Sequence, residues 1–138
     1  YGSKRTGKTG GKIMAFKFPK SERLTSQLVI DKMFQESKSL KQFPIVLKYM
    51  PHQFEEGANV QIAISVPKRR VKKAVDRNRI KRQIREVYRL NKRALLEKFK
   101  NQDKGLALFL IYNGSEKAKY AVLENKIKIL LQELENLE

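Results

Sequence analysis

Apolar and polar positions follow two different periods along this chain. Val60, Ile62, Ile64 and Val66 alternate with Gln61, Ala63 and Ser65, the period of two that turns one face of a strand toward a core. Pro67 ends the run. From Ile80 the period lengthens: Ile80, Ile84, Val87, Tyr88 and Leu95 recur at helical spacing, predicting a helix with one apolar stripe that continues to Lys100. Asn101 to Gly105 interrupts it. Leu106 to Tyr112 is nearly continuously apolar, as expected of a strand buried on both faces, and Asn113, Gly114 and Ser115 stop it. Tyr120, Leu123, Ile127, Leu130, Leu131, Leu134 and Leu137 then predict an amphipathic final helix starting near Ser115. Its gaps of three and four could seed a coiled-coil dimer, but so short a run fits a core better.

Upstream the signals are weaker. Ser21 or Thr25 offers a cap for a helix running through Ser37, with Leu24, Leu28, Ile30, Met33 and Phe34 at loose helical spacing. Lys38 to Gln42 reads as a turn-prone connector, Phe43 to Tyr49 as a strand with Pro44 tolerable near its start, and Pro51 to Asn59 as a polar loop. Residues 1–18 are Gly-rich, basic and without periodicity, which predicts a flexible basic tail ahead of one domain over 19–138. The chain opens on Tyr1, and Met14 could be a natural start. The order helix, strands, helix, strand, helix predicts an α+β fold, a two-layer sandwich of one sheet against one layer of helices. Part of the sheet is expected to be parallel, because a strand, helix, strand unit returns the chain in the same direction.

Charge changes this picture from a generic fold to a binding protein. Of 138 residues, 31 are Lys or Arg against 14 Asp or Glu, a net charge of +17. The stretch PKRRVKKAVDRNRIKRQIREVYRLNKRALLEKFK, from Pro67 to Lys100, concentrates much of that excess and contains only Asp76, Glu86 and Glu97 as acids. At about 100° per residue, Asn78, Lys81, Arg82, Arg85, Arg89, Lys92 and Arg93 fan out opposite the apolar stripe. One helix is therefore expected to dock on a core and present a basic face to a polyanion. Arg suits phosphate oxygens because its planar fork of donors binds them two at a time.

Catalytic chemistry finds little to work with. There are no cysteines, and the single histidine, His52, sits in the expected polar loop. The acids are scattered, so neither a carboxylate cluster for Mg²⁺ nor an acid–base pair is evident. Asp76 reads more simply as a helix-start partner. GKTGGK in the tail lacks the Ser or Thr of a phosphate loop. No apolar run approaches the roughly 20 residues that span a bilayer, so an intracellular, cytoplasmic protein with no membrane partner is expected. The residues favour binding of nucleic acid over catalysis.

The segment ISVPKRRVKKAVDRNRIKRQIREVYR resembles the signature of the bacterial ribonuclease P protein subunit. In that signature a strand leads through a basic loop into a helix bearing R-N-R, here Arg77-Asn78-Arg79 followed by Ile80, Lys81, Arg82 and Arg85. The resemblance extends over the elements from about Pro19 onward. It implies a ribosomal protein S5 domain 2-like fold with a left-handed βαβ crossover, against the usual right-handed rule. It also implies an accessory role in removing the 5′ leader of precursor tRNA, the RNA subunit carrying the chemistry and requiring Mg²⁺, with no cofactor bound by protein residues. Carried over position by position, Lys68, Arg69, Arg77, Asn78, Arg79, Lys81, Arg82 and Arg85 would contact the catalytic RNA. A cleft between the first helix and the sheet would hold the leader through Ile30, Phe34 and Lys48. The implied protein is a monomer, one per RNA, and inactive alone.

The chain departs from the family pattern in places. Aromatic residues are common where Ile30 and Lys48 stand, which leaves Phe34 as the stacking platform of those three. Gly is usual where Lys72 lies, and no RNA contact is carried to Asn113, where a basic residue is frequent. Read without the resemblance, the residues also allow a general structured-RNA-binding or ribosome-associated protein. A DNA-binding helix-turn-helix would need a short helix where Val60 to Val66 alternates as a strand, and a protein-only nuclease would need the missing catalytic groups.

Overall fold

The computed structural model describes residues 19–100 and 102–137; the basic tail over 1–18 lies outside them. One turn of 3-10 helix, Lys20–Glu22, precedes α1 (Gln27–Glu36), β1 (Lys38–Gln42), β2 (Ile45–His52), β3 (Val60–Ser65), α2 (Ala74–Asn91), α3 (Arg93–Phe99), β4 (Gly105–Tyr112) and α4 (Tyr120–Glu135). The four strands form one sheet in the order β1-β2-β4-β3. β1 with β2 and β2 with β4 are antiparallel, whereas β3 and β4 are parallel and joined through α2 and α3. β4 is thus a central strand, and its side chains meet the main core on one face and the Met33 cluster on the other, which is why its sequence is an apolar run.

Strand alternation divides the sheet into two unequal faces. Ile45, Leu47, Val60, Ile62, Leu106, Leu108, Leu110 and Tyr112 point into the main core, with Ile80, Ile84, Val87 and Tyr88 of α2, Leu95 of α3 and the apolar stripe of α4. This is the predicted sandwich of helices on a sheet. On the other face Met50 and Ala107 meet Leu24 and Met33, so α1 and the segment before it cover part of that face.

Several boundaries differ from those read in the sequence, each for a long-range reason. The first helix begins later, with Ser26 as its cap accepting from the Val29 N–H at 3.4 Å. Residues upstream are drawn to β3 instead: Leu24 N donates to Ile62 O at 2.9 Å and Ala58 N to Ser21 O at 3.1 Å, so backbone groups on the outer side of β3 outcompete local helix propensity. Lys38–Gln42, expected as a turn, is the edge strand β1, paired from Lys38 opposite Tyr49 to Gln42 opposite Ile45. Phe43 and Pro44 are the turn, joined by a cis peptide. β2 continues through Pro51 and His52, past the last β1 partner, where proline's missing N–H costs no β1 bond; His52, expected in a loop, ends the strand against Phe54 at 4.7 Å. The basic helix breaks at Lys92 rather than running to Lys100. α4 starts at Tyr120, since Ser115 lies in a turn whose carbonyl accepts from the Tyr112 hydroxyl.

Two bonded joints tie α3 to its neighbours, the residue before β3 and the end of α4. Asn59 Nδ2 donates to Phe99 O at 2.8 Å, closing the end of α3. Lys98 Nζ donates to the carbonyls of Leu134, Glu135 and Leu137, so one ammonium serves the carbonyl end of α4.

Candidate nucleic-acid interface

α2 is amphipathic in the sense its sequence predicts. Ile80, Ile84, Val87 and Tyr88 are fully buried, while Asn78, Arg82 and Arg85 are exposed and Lys81 is half-buried on the other side. Lys68 and Arg69 are exposed in the loop that leads into the helix. That loop is fixed at its far end by Val71, 0% exposed, whose N–H donates to Pro67 O at 3.1 Å.

The Arg77-Asn78-Arg79 triplet divides by task. Arg77 Nη1 donates to Val71 O at 3.0 Å and Lys72 O at 2.7 Å, tying the loop to the helix start. Arg79 Nη2 donates to Glu116 O at 2.8 Å and Nη1 to Ala118 O at 3.4 Å, tying α2 to the segment before α4. Asn78, between them, faces solvent. The two arginines therefore hold the backbone that presents their neighbours, each with part of a multi-donor fork beyond these bonds.

Two residues of the sequence-derived basic face are otherwise engaged. Lys92 is not on it: its side chain is 2% exposed, and Nζ meets Glu22 Oε1 at 2.6 Å. The helix break at Lys92 turns that side chain inward, toward a carboxylate 70 residues away in sequence. Arg89 Nη2 pairs with Glu86 Oε2 at 2.8 Å, which offsets its charge locally. Beneath this region, burial first and the Glu22 charge second push the Tyr88 hydroxyl pKa far up. Tyr112 is also raised by burial, with Arg79 opposing, and Tyr120 by burial and the nearby Glu124 and Glu86, with Arg89 opposing.

A second surface lies on the opposite face of the sheet, beside α1. The register sets Ser39, Lys48, Phe109 and Ala63 in one row across the four strands, with Lys41, Val46, Ile111 and Ser65 in the next. α1 stands over the first row: the Phe34 ring meets Phe109 edge to face, centroids 5.4 Å apart at 88°, yet Phe34 stays 58% exposed. Lys48 Nζ donates to Ser39 Oγ at 3.4 Å, and Ile30 packs at the edge of the Met33 cluster. Ile30, Phe34 and Lys48 thus come together around Phe109, which sequence reading assigned to a strand buried on both sides. Its alternation with Leu108 and Leu110 was the available signal, since those two face the helical core and Phe109 must face away.

Among the described residues no three His, Cys, Asp or Glu side chains group as a metal site, and no helix is long and apolar enough to cross a membrane. Among the described residues the arrangement offers a basic helix face and, across the sheet, a partly exposed aromatic pair beside Lys48, groups of the kind that meet phosphates and bases.

Known proteins with this pattern are consistent with one another. The ribonuclease P family model matches residues 18–135. A ribonuclease P protein component from Porphyromonas gingivalis is 40% identical over 80 residues, 58% of each chain. One from Dictyoglomus thermophilum is 42% identical over 83 residues, 59% of this chain and 65% of its own. The chain therefore matches less than two thirds of the length of these relatives. Among solved structures, the RNase P protein from Thermotoga maritima superposes with a TM-score of 0.61 at 26% identity, covering 85% of this chain and 98% of its own. The Staphylococcus aureus RNase P protein shares the fold, with a TM-score of 0.57 at 19% identity over 80% of this chain and 93% of its own. With the family model matching residues 18–135, and the basic helix and sheet order in agreement with it, this chain belongs to the ribonuclease P protein family.

Proposed function

We propose that the chain is the accessory protein of a ribonuclease P ribonucleoprotein, one copy per catalytic RNA. It binds that RNA through Lys68, Arg69, Asn78, Lys81, Arg82 and Arg85, with Arg77 and Arg79 adding what remains of their forks after bonding the backbone. The leader of precursor tRNA lies in the cleft, a base stacking on Phe34 over Phe109, with Ile30 and Lys48 at its sides. Cleavage, and the Mg²⁺ it needs, belong to the RNA. The protein lowers the repulsion of closely packed phosphates by neutralising them at fixed positions. The observation that carries this reading is the two-sidedness of α2: Ile80 and Ile84 at 0% exposure on one side, exposed Asn78, Arg82 and Arg85 on the other, in a chain of this family.

Reconstitution with a bacterial ribonuclease P RNA and a precursor tRNA at low Mg²⁺ tests it. The chain should stimulate 5′ cleavage and show none alone. Arg82→Ala with Arg85→Ala, both exposed, should reduce the slope of log affinity against log salt by about one to two, since each lost phosphate contact releases one fewer counterion. An unchanged slope rejects the assigned face.

A further inference from the structure

The basic face of α2 and the cleft lie on opposite faces of the sheet, and one end of the sheet joins them. There β2 begins, Ile45 opposite Tyr112, and β3 finishes, Ser65 opposite Ile111. The Phe43–Pro44 turn, the Asn113–Ser115 turn and the loop between β3 and α2 all leave from this end, and they are bonded in sequence. Asn113 N donates to Pro44 O at 2.7 Å. Gly114 lies so close to Pro44 that a Cβ there would fall 2.7 Å from the proline Cβ. Two residues on, Glu116 receives Lys72 N at 3.3 Å through Oε2 and Arg79 Nη2 at 2.8 Å through its carbonyl.

On this anchored base Pro44 is buried and Phe43 is 75% exposed. An exposed apolar side chain is ordinary by itself. Phe43 differs in that its turn is anchored and that Lys41, two residues away, and Lys68, Arg69, Arg70, Lys72 and Lys117, on the loops leaving the same end of the sheet, are all exposed. A protein partner reading an aromatic anchor would meet apolar neighbours around it. An aromatic ring on an anchored turn, with cations at the same end of the sheet, suits a nucleobase whose phosphates need neutralising.

We propose that Phe43 is a second stacking platform for the single strand of RNA that occupies the cleft, at the point where that strand passes around the end of the sheet toward the basic loop. This rests on the cleft reading given above. From the Lys48 row to Phe43 is five residues of chain, about 17 Å at strand rise, which about five stacked nucleotides cover at roughly 3.4 Å each. The second platform is therefore reached by long strands and missed by short ones.

The test uses the full chain with oligoadenylates of about four and about eight nucleotides, within the site sizes such surfaces take. Phe43→Ala should weaken the longer strand by about tenfold, the loss of one stacked base, and leave the shorter unchanged. Phe43→Leu should behave like Phe43→Ala, because bulk without a π-face does not stack. Phe43→Trp should retain affinity, and because the chain has no other Trp its emission should be quenched by the longer strand alone. Wild-type affinity of Phe43→Ala for the longer strand overturns the proposal, as does full rescue by Phe43→Leu, which would mark an apolar contact instead. Phe34→Ala separates the two readings. If it weakens both lengths while Phe43→Ala weakens neither, only the second platform fails; if Phe34→Ala changes nothing, the cleft itself is refuted and the proposal with it.

Discussion

Glu22→Gln removes a carboxylate from beside an ammonium that has almost no access to water. The Lys92 side chain is 2% exposed and that of Glu22 11%, with the charged atoms 2.6 Å apart. Deleting one partner of such a pair costs about 3–5 kcal/mol, most of it the penalty of a buried charge that has lost its counterion. The slight exposure of Glu22 and the polar group retained by Gln argue for the lower figure, about 3 kcal/mol. Against a total stability of roughly 5–15 kcal/mol that is a large loss, and at about 4 °C per kcal/mol it lowers Tm by about 12 °C. Lys92→Met should cost less, about 2 kcal/mol, since Met fills the space and Glu22 can be reached by water. The double variant should fall short of the sum by about 1.5 kcal/mol or more, the coupling of two groups in contact. Urea unfolding of the four proteins at about 0.05 M and 1 M salt measures this, and the coupling should survive high salt because little solvent enters the pair. Single effects that add within about 0.5 kcal/mol, or a coupling that disappears at 1 M salt, would refute the account. Lys92→Met should also leave the salt slope of RNA binding unchanged, because its ammonium faces inward.

Two further perturbations probe the core and the sheet. Burial and the Glu22 charge keep the Tyr88 proton on well above the ordinary value of 10.0, whereas the unfolded chain releases it near that value. Stability linked to it is whole below about pH 10 and falls above it by about 1.4 kcal/mol per pH unit; Tyr88→Phe should show a shallower alkaline decline by that amount, and equal slopes in denaturant titrations would reject the assignment. Gly105→Ala puts a Cβ 1.9 Å from the Asn59 carbonyl oxygen, which also accepts from Leu106 N at 2.7 Å. It should destabilise by about 3 kcal/mol or more, and calorimetry finding a Tm within a few degrees of wild type would contradict it.

What could be read from the chain was what local period encodes. β3 alternates, β4 is continuously apolar, and α2 and α4 repeat at helical spacing, so each was visible before any contact was known. β1 was hidden because Lys38, Ser39, Lys41 and Gln42 are polar; an edge strand solvated on much of its surface carries no alternation to detect. Lys92 was misplaced because its partner, Glu22, is distant in sequence, and helical projection cannot foresee a break. The family motif brought attention to Arg77 and Arg79, but their bonds to Val71, Lys72, Glu116 and Ala118 depend on how loops meet. Phe109 looked like core until the strand order showed that it shares the face of β4 on which, among the described residues, α1 packs and leaves Phe34 exposed.

The Ser21–Leu24 segment beside β3 has a consequence for how copies of this chain can meet. Uncovered sheet margins are templates on which one molecule can recruit another. Here one margin is occupied by the chain's own Arg23 and Leu24, and the other carries exposed Lys38 and Lys41, whose mutual repulsion discourages a second copy from aligning. The two lysines that charge this edge thus act against edge-to-edge stacking of copies.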